Sequence, residues 1–171
     1  GGQPAGVGEV RVGSLVNGGQ FIATVEPMHG NMLAVYGPGN VYSGTVPLKR
    51  RVLTDKLVDG HAIACGNLLG GTPGVSTSDQ IVLGWRGKPG QAGSTTGVAV
   101  WTPLDAQADK WRETVVDPDG MACEDLQLAD LNGDGHFLRL AIAIADAAAL
   151  VAHDDQCSKA EPPAPLDDAG A

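Results

Sequence analysis

The sequence predicts an all-β fold built from repeated units of short strands. Its 171 residues include 25 glycines and 11 prolines but only 4% aromatic residues, a composition typical of turn-rich β proteins and poor for a helical bundle. In residues 124–135, alternating apolar residues run into a D-x-N-x-D-G loop, the pattern of a strand that ends in an acidic turn. This combination of strand and loop recurs along the chain, which indicates a repeat architecture.

The repeat has an offset of 63 residues between its last two copies. That offset pairs Asn67 with Asp130 in the loop, and it pairs residues 51–54 with residues 114–117. An earlier copy begins near Gly13. The chain therefore divides into about three units of four short strands, a pattern that favours propeller blades over a solenoid. The predicted blades cover roughly residues 8–50, 51–112 and 113–156.

The acidic loop offers oxygen ligands for a hard cation. Asp130, Asn132 and Asp134 carry side-chain oxygens at alternate positions, and Gly135 allows the sharp turn that follows. Calcium bound by these three residues is one hypothesis. The alternative is a turn without an ion, because Asp and Asn side chains also hydrogen-bond nearby backbone groups.

Four further segments carry a resemblance to a known family. They are residues 25–31, 57–62, 79–87 and 120–125. Together with the strand-and-loop repeat, they resemble the FG-GAP/VCBS-repeat β-propellers, and in particular bacterial VCBS-repeat proteins related to the propeller domain of aldos-2-ulose dehydratase. The resemblance covers roughly residues 10–137 and implies a partial β-propeller of about three four-stranded blades. The family pattern has a further Asp where this chain has Leu138, which weakens calcium binding in the acidic loop by charge and by geometry.

The propeller arrangement predicts that four polar side chains meet on one face. His29 lies in the loop after the second strand of the first blade, and Arg86 holds the same place in the second blade. His61 and Glu124 stand at the entry to the first strand of the second and third repeat units. These positions lie at the end of the blades opposite the acidic loop, so we expect the side chains to converge near the central axis, with Glu26 close to His29.

Such a set of side chains supports metal-assisted elimination. Two imidazoles and a carboxylate can hold a divalent metal, zinc or magnesium, with positions left open for a ligand. The same set can remove a proton next to a carbonyl, with Arg86 or the metal stabilising the enolate. The resemblance implies the same chemistry, the elimination of water from a keto-sugar. The predicted function is therefore the propeller domain of a metal-assisted carbohydrate lyase, with His29, His61, Arg86 and Glu124 as catalytic residues and His29 and His61 as metal ligands.

Other interpretations of the same residues stay open. Histidines at strand ends often only hydrogen-bond a neighbouring blade, and Arg86 can simply stack on Trp85. A non-catalytic propeller module that binds a protein or glycan partner is the alternative function. For the predicted lyase, the partner is a small sugar-derived substrate.

Charge and hydropathy exclude two other classes of partner. With 11 Lys and Arg against 20 Asp and Glu, the net charge of −9 gives no general attraction for nucleic acid. The basic run at residues 49–51 is interpreted as a solvated strand edge, because charged residues blunt exposed strands. The sequence has no apolar run of 18 residues, so no membrane span is predicted.

The cysteines give little indication of redox chemistry. Cys65, Cys123 and Cys157 form no C-x-x-C spacing, which argues against a zinc or redox motif. The first two sit among apolar residues and are expected to be small buried side chains. Because FG-GAP proteins are often exported, the resemblance implies an extracytoplasmic or secreted protein.

The C-terminal third departs from the repeat. The density of Ala and Leu in residues 136–153 predicts a helix, although the alternation in residues 140–144 also permits a strand. Residues 157–171 are rich in Pro and Asp and are expected to be disordered. The alternative to a native end is a changed reading frame after Gly135.

Three blades do not close a propeller, which typically has about four to eight. The sequence therefore indicates a fragment or truncated homologue, a subunit that closes by oligomerisation, or an open array of sheets. The chain opens with Gly1 and Gly2 and has no initial Met, so a trimmed product is expected.

Overall fold

The all-β prediction is confirmed. The structure is a computed structural model that describes residues 6–39, 48–70, 77–129, 139–144 and 147–152. These segments form strands, turns and loops without a helix. No helix in the described part is thus available to cross a membrane. The strands are β1 (Glu9–Ser14), β2 (Gln20–Glu26), β3 (Met32–Gly39), β4 (Arg50–Thr54), β5 (Gly60–Gly66), β6 (Gln80–Trp85), β7 (Gly97–Pro103), β8 (Trp111–Asp117), β9 (Cys123–Ala129), β10 (Arg139–Ile144) and β11 (Ala147–Ala152).

The strands form three successive antiparallel sheets. Sheet 1 has the order β1-β2-β3-β4, sheet 2 has β5-β6-β7-β8, and sheet 3 has β9-β10-β11. The repeat found in the sequence is visible here, because β5 starts at Gly60 and β9 starts 63 residues later at Cys123. Residues 51–54 and 114–117 occupy equivalent last strands, β4 and β8. Each therefore completes its own sheet, whereas the predicted blade bounds had assigned both segments to the next blade.

The helix predicted within residues 136–153 is wrong for the segments that the structure describes. Residues 139–144 and 147–152 pair as the antiparallel strands β10 and β11, and β10 also pairs with β9. Helix propensity is a weak preference that tertiary context overrides, and β9 presents unpaired backbone groups that β10 satisfies. The alternation of residues 140–144 was the better indicator. The acidic loop and the C-terminal tail lie outside the described residues.

Sheet 2 lies between the other two sheets. Its first strand, β5, contacts the first strands β1 and β9 of the neighbouring sheets, and β6 also contacts β9. All six residues of β6 are buried. Ile81 and Leu83 belong to the core between sheets 1 and 2, whereas Val82 belongs to the core between sheets 2 and 3. This burial on both faces explains why β6 is almost continuously apolar and does not alternate with polar residues.

The core between sheets 1 and 2 is the larger of the two. Phe21, Val25, Leu33, Ile63 and Leu83 are each at most 1% exposed. Full burial of one such side chain contributes about 1.5–3 kcal/mol relative to leaving it in water. This core therefore fixes the loop after β2 against the start of β5.

Sheets 2 and 3 meet at a glycine. A Cβ atom added to Gly84 would clash with Sγ and Cβ of Cys123. Cys123 is fully buried, so its side chain has no open space into which to move. The absence of a side chain at Gly84 is thus what allows β9 to approach β6 closely.

We expect Gly84→Ala to lower the free energy of unfolding by about 1–3 kcal/mol, because the added methyl group overpacks this contact. Urea unfolding followed by circular dichroism measures the loss. The paired variant Gly84→Ala with Cys123→Gly restores the space, so its cost should be smaller than the sum of the two single costs. Strictly additive costs would contradict the close contact between β6 and β9.

Candidate functional site

The structure brings together the four polar side chains that the sequence singled out. Nδ1 of His29 lies 2.6 Å from Nδ1 of His61. Nε2 of His61 lies 3.1 Å from Oε2 of Glu124, and Nη1 of Arg86 lies 2.9 Å from the same oxygen. His29 is in the loop after β2, His61 and Glu124 are the second residues of β5 and β9, and Arg86 follows β6 directly. The cluster therefore draws on all three sheets.

Backbone hydrogen bonds hold these elements in register. The amide of Leu57, in the β4–β5 connection, donates to the carbonyl of Asn31 at 3.0 Å, and that of Gly60 donates to the carbonyl of Gly30 at 2.9 Å. The amide of Arg86 donates to the carbonyl of Asp59 at 3.1 Å. One short connection thus joins the loop of His29 to the start of β5 and to the end of β6.

The hydrogen bonds assign a tautomer to each histidine. A carboxylate only accepts, so Nε2 of His61 must carry a proton to bond Glu124. In neutral His61 the facing Nδ1 is then the acceptor, and Nδ1 of His29 donates to it. Nε2 of neutral His29 keeps its lone pair. His29 is exposed, so this lone pair is accessible to a solute.

Arg86 is held between two carboxylates. Its Nη1 donates to Glu124, while its Nε and Nη2 donate to Oδ2 of Asp59 at 3.1 and 2.9 Å. All three guanidinium nitrogens are therefore engaged. In this arrangement Arg86 orients Glu124. Its predicted role in stabilising an enolate and the alternative stacking on Trp85 stay predictions.

Asp59 is the member of the site that sequence reasoning missed. Its side chain is 17% exposed, and it stands in the Asp-Gly dipeptide at the start of β5. Such a dipeptide usually indicates only a turn, because both residues tolerate unusual backbone angles. Only the fold shows that the carboxylate of this turn faces Arg86, which is 27 residues further along the chain.

The surroundings lower the pKa of His61. Burial is the largest cause, and the positive charge of Arg86 and the neighbouring His29 act in the same direction. The carboxylates of Glu124 and Asp59 oppose these effects but do not outweigh them. His61 is therefore neutral around pH 7, as the tautomer assignment assumes.

The histidine pair fits the donor chemistry of a borderline metal such as zinc. Two imidazole nitrogens face each other, and Glu124 would orient His61 from behind, as carboxylates commonly do for metal-bound histidines. Magnesium prefers oxygen ligands, which this pair does not offer. Two nitrogens on one tetrahedral zinc lie about 3.3 Å apart, so the rings would have to separate by about 0.7 Å. Within the described ranges, no three His, Cys, Asp or Glu side chains are placed to share one ion, so solvent or a substrate would supply the remaining ligands.

Glu26 does not join the site, contrary to expectation. Its carboxylate accepts hydrogen bonds from Thr24, from Tyr36 and, at 2.6 Å, from Nη2 of Arg50. The alternation along β2 turns Glu26 to the face opposite Val25, which packs against sheet 2. Of the basic run at residues 49–51, interpreted as a solvated edge, Arg50 thus pairs with Glu26, and Arg51 pairs with Asp109.

The remaining predictions concern the acidic loop and the cysteines. The proposed calcium ligands Asp130, Asn132 and Asp134 fall outside the residues that the structure describes. Cys123 is buried, as expected, whereas Cys65 is only partly buried and packs against the core between sheets 1 and 2. Burial raises the pKa of both thiols to about 12, so neither is a nucleophile at neutral pH.

Comparison with known proteins finds no protein family, no curated protein and no solved structure that matches the chain. The resemblance to FG-GAP/VCBS propellers therefore stays a prediction. Because a fold does not by itself imply a function, the function has to be inferred from the side chains and their geometry.

We expect the imidazole of His61 to titrate below its ordinary pKa of 6.5 in protein stripped of metal. The unfolded chain then binds more protons than the folded one near pH 6, so the contribution of His61 to stability is complete above pH 6.5 and is lost as the pH falls through the lowered pKa. NMR titration of the ring, assigned with His61→Gln, measures the pKa, and urea unfolding between pH 5 and 8 measures the slope. His61→Gln should lack this slope, and a pKa of His61 at or above 6.5 would contradict the structure.

Proposed function

We propose that the chain is the propeller part of a carbohydrate lyase that eliminates water from a sugar-derived carbonyl compound. The observation that carries this proposal is the hydrogen-bonded series Glu124–His61–His29, which ends in an accessible nitrogen lone pair. An oriented imidazole of this kind is the most frequent general base in enzymes. The resemblance to the dehydratase-related propellers supports the same reaction.

The arrangement of the sheets supports the propeller part of the proposal. Three antiparallel sheets follow one another along the chain, and their first strands β1, β5 and β9 lie side by side. Blades around a central axis are arranged in this way. Because a ring typically has about four to eight blades, further blades would come from additional chain or from a second copy.

His29 can first remove a proton from the substrate and then return it to the leaving group. Nε2 of His29 takes the proton from the carbon next to the carbonyl, and His29 becomes positively charged. His61 and Glu124 stabilise that charge, because Nδ1 of His29 donates to His61 and Nε2 of His61 donates to the carboxylate. When the bond to the leaving hydroxyl breaks, His29 returns the proton, water leaves and the base is restored.

A divalent metal would replace the hydrogen bond between the two Nδ1 atoms. Bound to Nδ1 of His29 and His61, it would supply a Lewis acid that polarises the carbonyl oxygen. A nitrogen lone pair binds either a proton or a metal, so the hydrogen bond between the two rings and the metal exclude each other. With a metal on Nδ1, neutral His29 would carry its proton on Nε2 and would no longer act as the base. The metal content of the active protein therefore decides whether the histidines act as a base or as metal ligands.

We expect His29→Gln and His61→Gln each to lower the rate of elimination from a keto-sugar by about 10²- to 10⁴-fold, the usual contribution of a general base. The conjugated enone that forms is followed by its ultraviolet absorption. Lys110→Gln is the control, because Lys110 is exposed and lies in the β7–β8 connection at the other end of the sheets. If the wild-type protein has no elimination activity with any keto-sugar tested, the lyase proposal fails and the chain is better described as a binding module.

We expect the protein to bind one zinc ion at the histidine pair and to ignore magnesium at the same concentration. Isothermal titration with each metal, on protein treated with a chelator, measures the stoichiometry and the affinity. His61→Gln should abolish the zinc isotherm, and Lys110→Gln should leave it unchanged. Zinc bound equally well by His61→Gln would place the metal elsewhere.

A further inference from the structure

We propose that Asp59 is a positioning residue that holds His61 in the tautomer required for the proposed function, on which this inference rests. Among the described residues, the side chain of Asp59 is hydrogen-bonded to Arg86 and to neither histidine. It binds Arg86 through two nitrogens, Arg86 binds Glu124, and Glu124 binds Nε2 of His61. Asp59 thus acts on the imidazole through two intermediate side chains.

The division of the guanidinium between two carboxylates is the basis of this role. Asp59 occupies Nε and Nη2 of Arg86, which leaves Nη1 for Glu124. Oε2 of Glu124 is then shared between Arg86 and His61, at 2.9 and 3.1 Å. Without Asp59, Arg86 is free to offer two parallel N–H groups to Glu124, the bidentate geometry that arginine and carboxylate prefer. Such a shift draws Glu124 away from His61.

The backbone of Asp59 also contacts Arg86. Its φ of +59° lies in the left-handed region, which is unusual for a residue other than glycine. Its carbonyl accepts the amide of Arg86 at 3.1 Å, and the carbonyl of Val58 accepts the amide of Gly87 at 2.9 Å. The side chain and the carbonyl of Asp59 therefore both bind Arg86, and the hydrogen bond between Gly87 and Val58 aligns the two backbone segments.

The loss of the Nε2–H···Glu124 bond has a defined chemical consequence. A neutral imidazole that is no longer held by a carboxylate populates both tautomers. In the Nδ1–H form, His61 cannot accept from Nδ1 of His29, and the lone pair at Nε2 of His29 is no longer specified. The effect of Asp59 is thus expected in the tautomer of His61 before any effect on turnover.

The test uses two substitutions at Asp59 and one matched control. Asp59→Gly removes the carboxylate, and glycine accepts the positive φ without strain. Asp59→Asn keeps an acceptor oxygen, and Asn is also found in this region, so its effect should be smaller. Asp109→Asn is the control, because Asp109 also pairs with an arginine, Arg51, but outside the site. The ring ¹⁵N shifts of His61, measured by long-range ¹H–¹⁵N NMR on protein stripped of metal, report the tautomer.

We expect His61 to be mainly in the Nε2–H form in the wild type and in the Asp109→Asn variant. In Asp59→Gly we expect His61 to shift towards an even mixture of tautomers, with at least a tenfold loss of elimination rate. Unchanged ring shifts in both Asp59 variants overturn the inference, even where the wild type is an active lyase. Changed shifts in Asp59→Gly support the positioning role, even where the wild type eliminates nothing and the lyase proposal fails. Should Asp59→Gly not fold, the same comparison is made with Asp59→Asn alone.

Discussion

The packing of β5 between β1 and β9 is the constraint on which the rest of the structure depends. Each of these strands is the first of its sheet, and their contact brings the ends of three separate sheets to one place. It requires β6 to be apolar on both faces, and it requires Gly84 to leave space for Cys123. The polar cluster is a consequence of this packing, because His61 and Glu124 extend from the starts of β5 and β9.

The pairing of opposite charges offsets the cost of partly burying this cluster at the edge of the core. The order Asp59, Arg86, Glu124, His61 places every donor opposite an acceptor, so no charged group is left without a partner inside it. Arg86 and Glu124 are 31% and 32% exposed, so their pairing in solvent contributes little to stability. The value of the network lies in orientation, since it determines which nitrogen of each histidine carries a proton.

Sequence reasoning located most of this site but missed Asp59 and misplaced Glu26. The 63-residue offset identified equivalent strand ends, and equivalent ends of packed sheets lie together, so His29, His61, Arg86 and Glu124 could be named in advance. Asp59 could not be named in advance, because an aspartate in a turn can bind many different groups, and its partner Arg86 is placed by the path of β6. Glu26 was expected near His29, but the alternation of β2 turns its side chain to the other face. The helix expected in residues 136–153 failed because pairing with β9 outweighs the helical preference of Ala and Leu.

The sequence by itself determined that the chain is all-β, that its strands recur in units, and that polar residues stand at the ends of particular strands. Strand alternation and turn residues are patterns of neighbouring positions, and the repeat spacing is found by comparing one part of the sequence with another. The tertiary structure alone decided which carboxylate each nitrogen meets, and hence that Arg86 is held by Asp59 and that His29 keeps the accessible lone pair. Hydrogen bonds of this kind depend on distances of a few tenths of an ångström between residues about 30 positions apart, such as His29 and His61 or Asp59 and Arg86. Only the packing of whole sheets sets such distances.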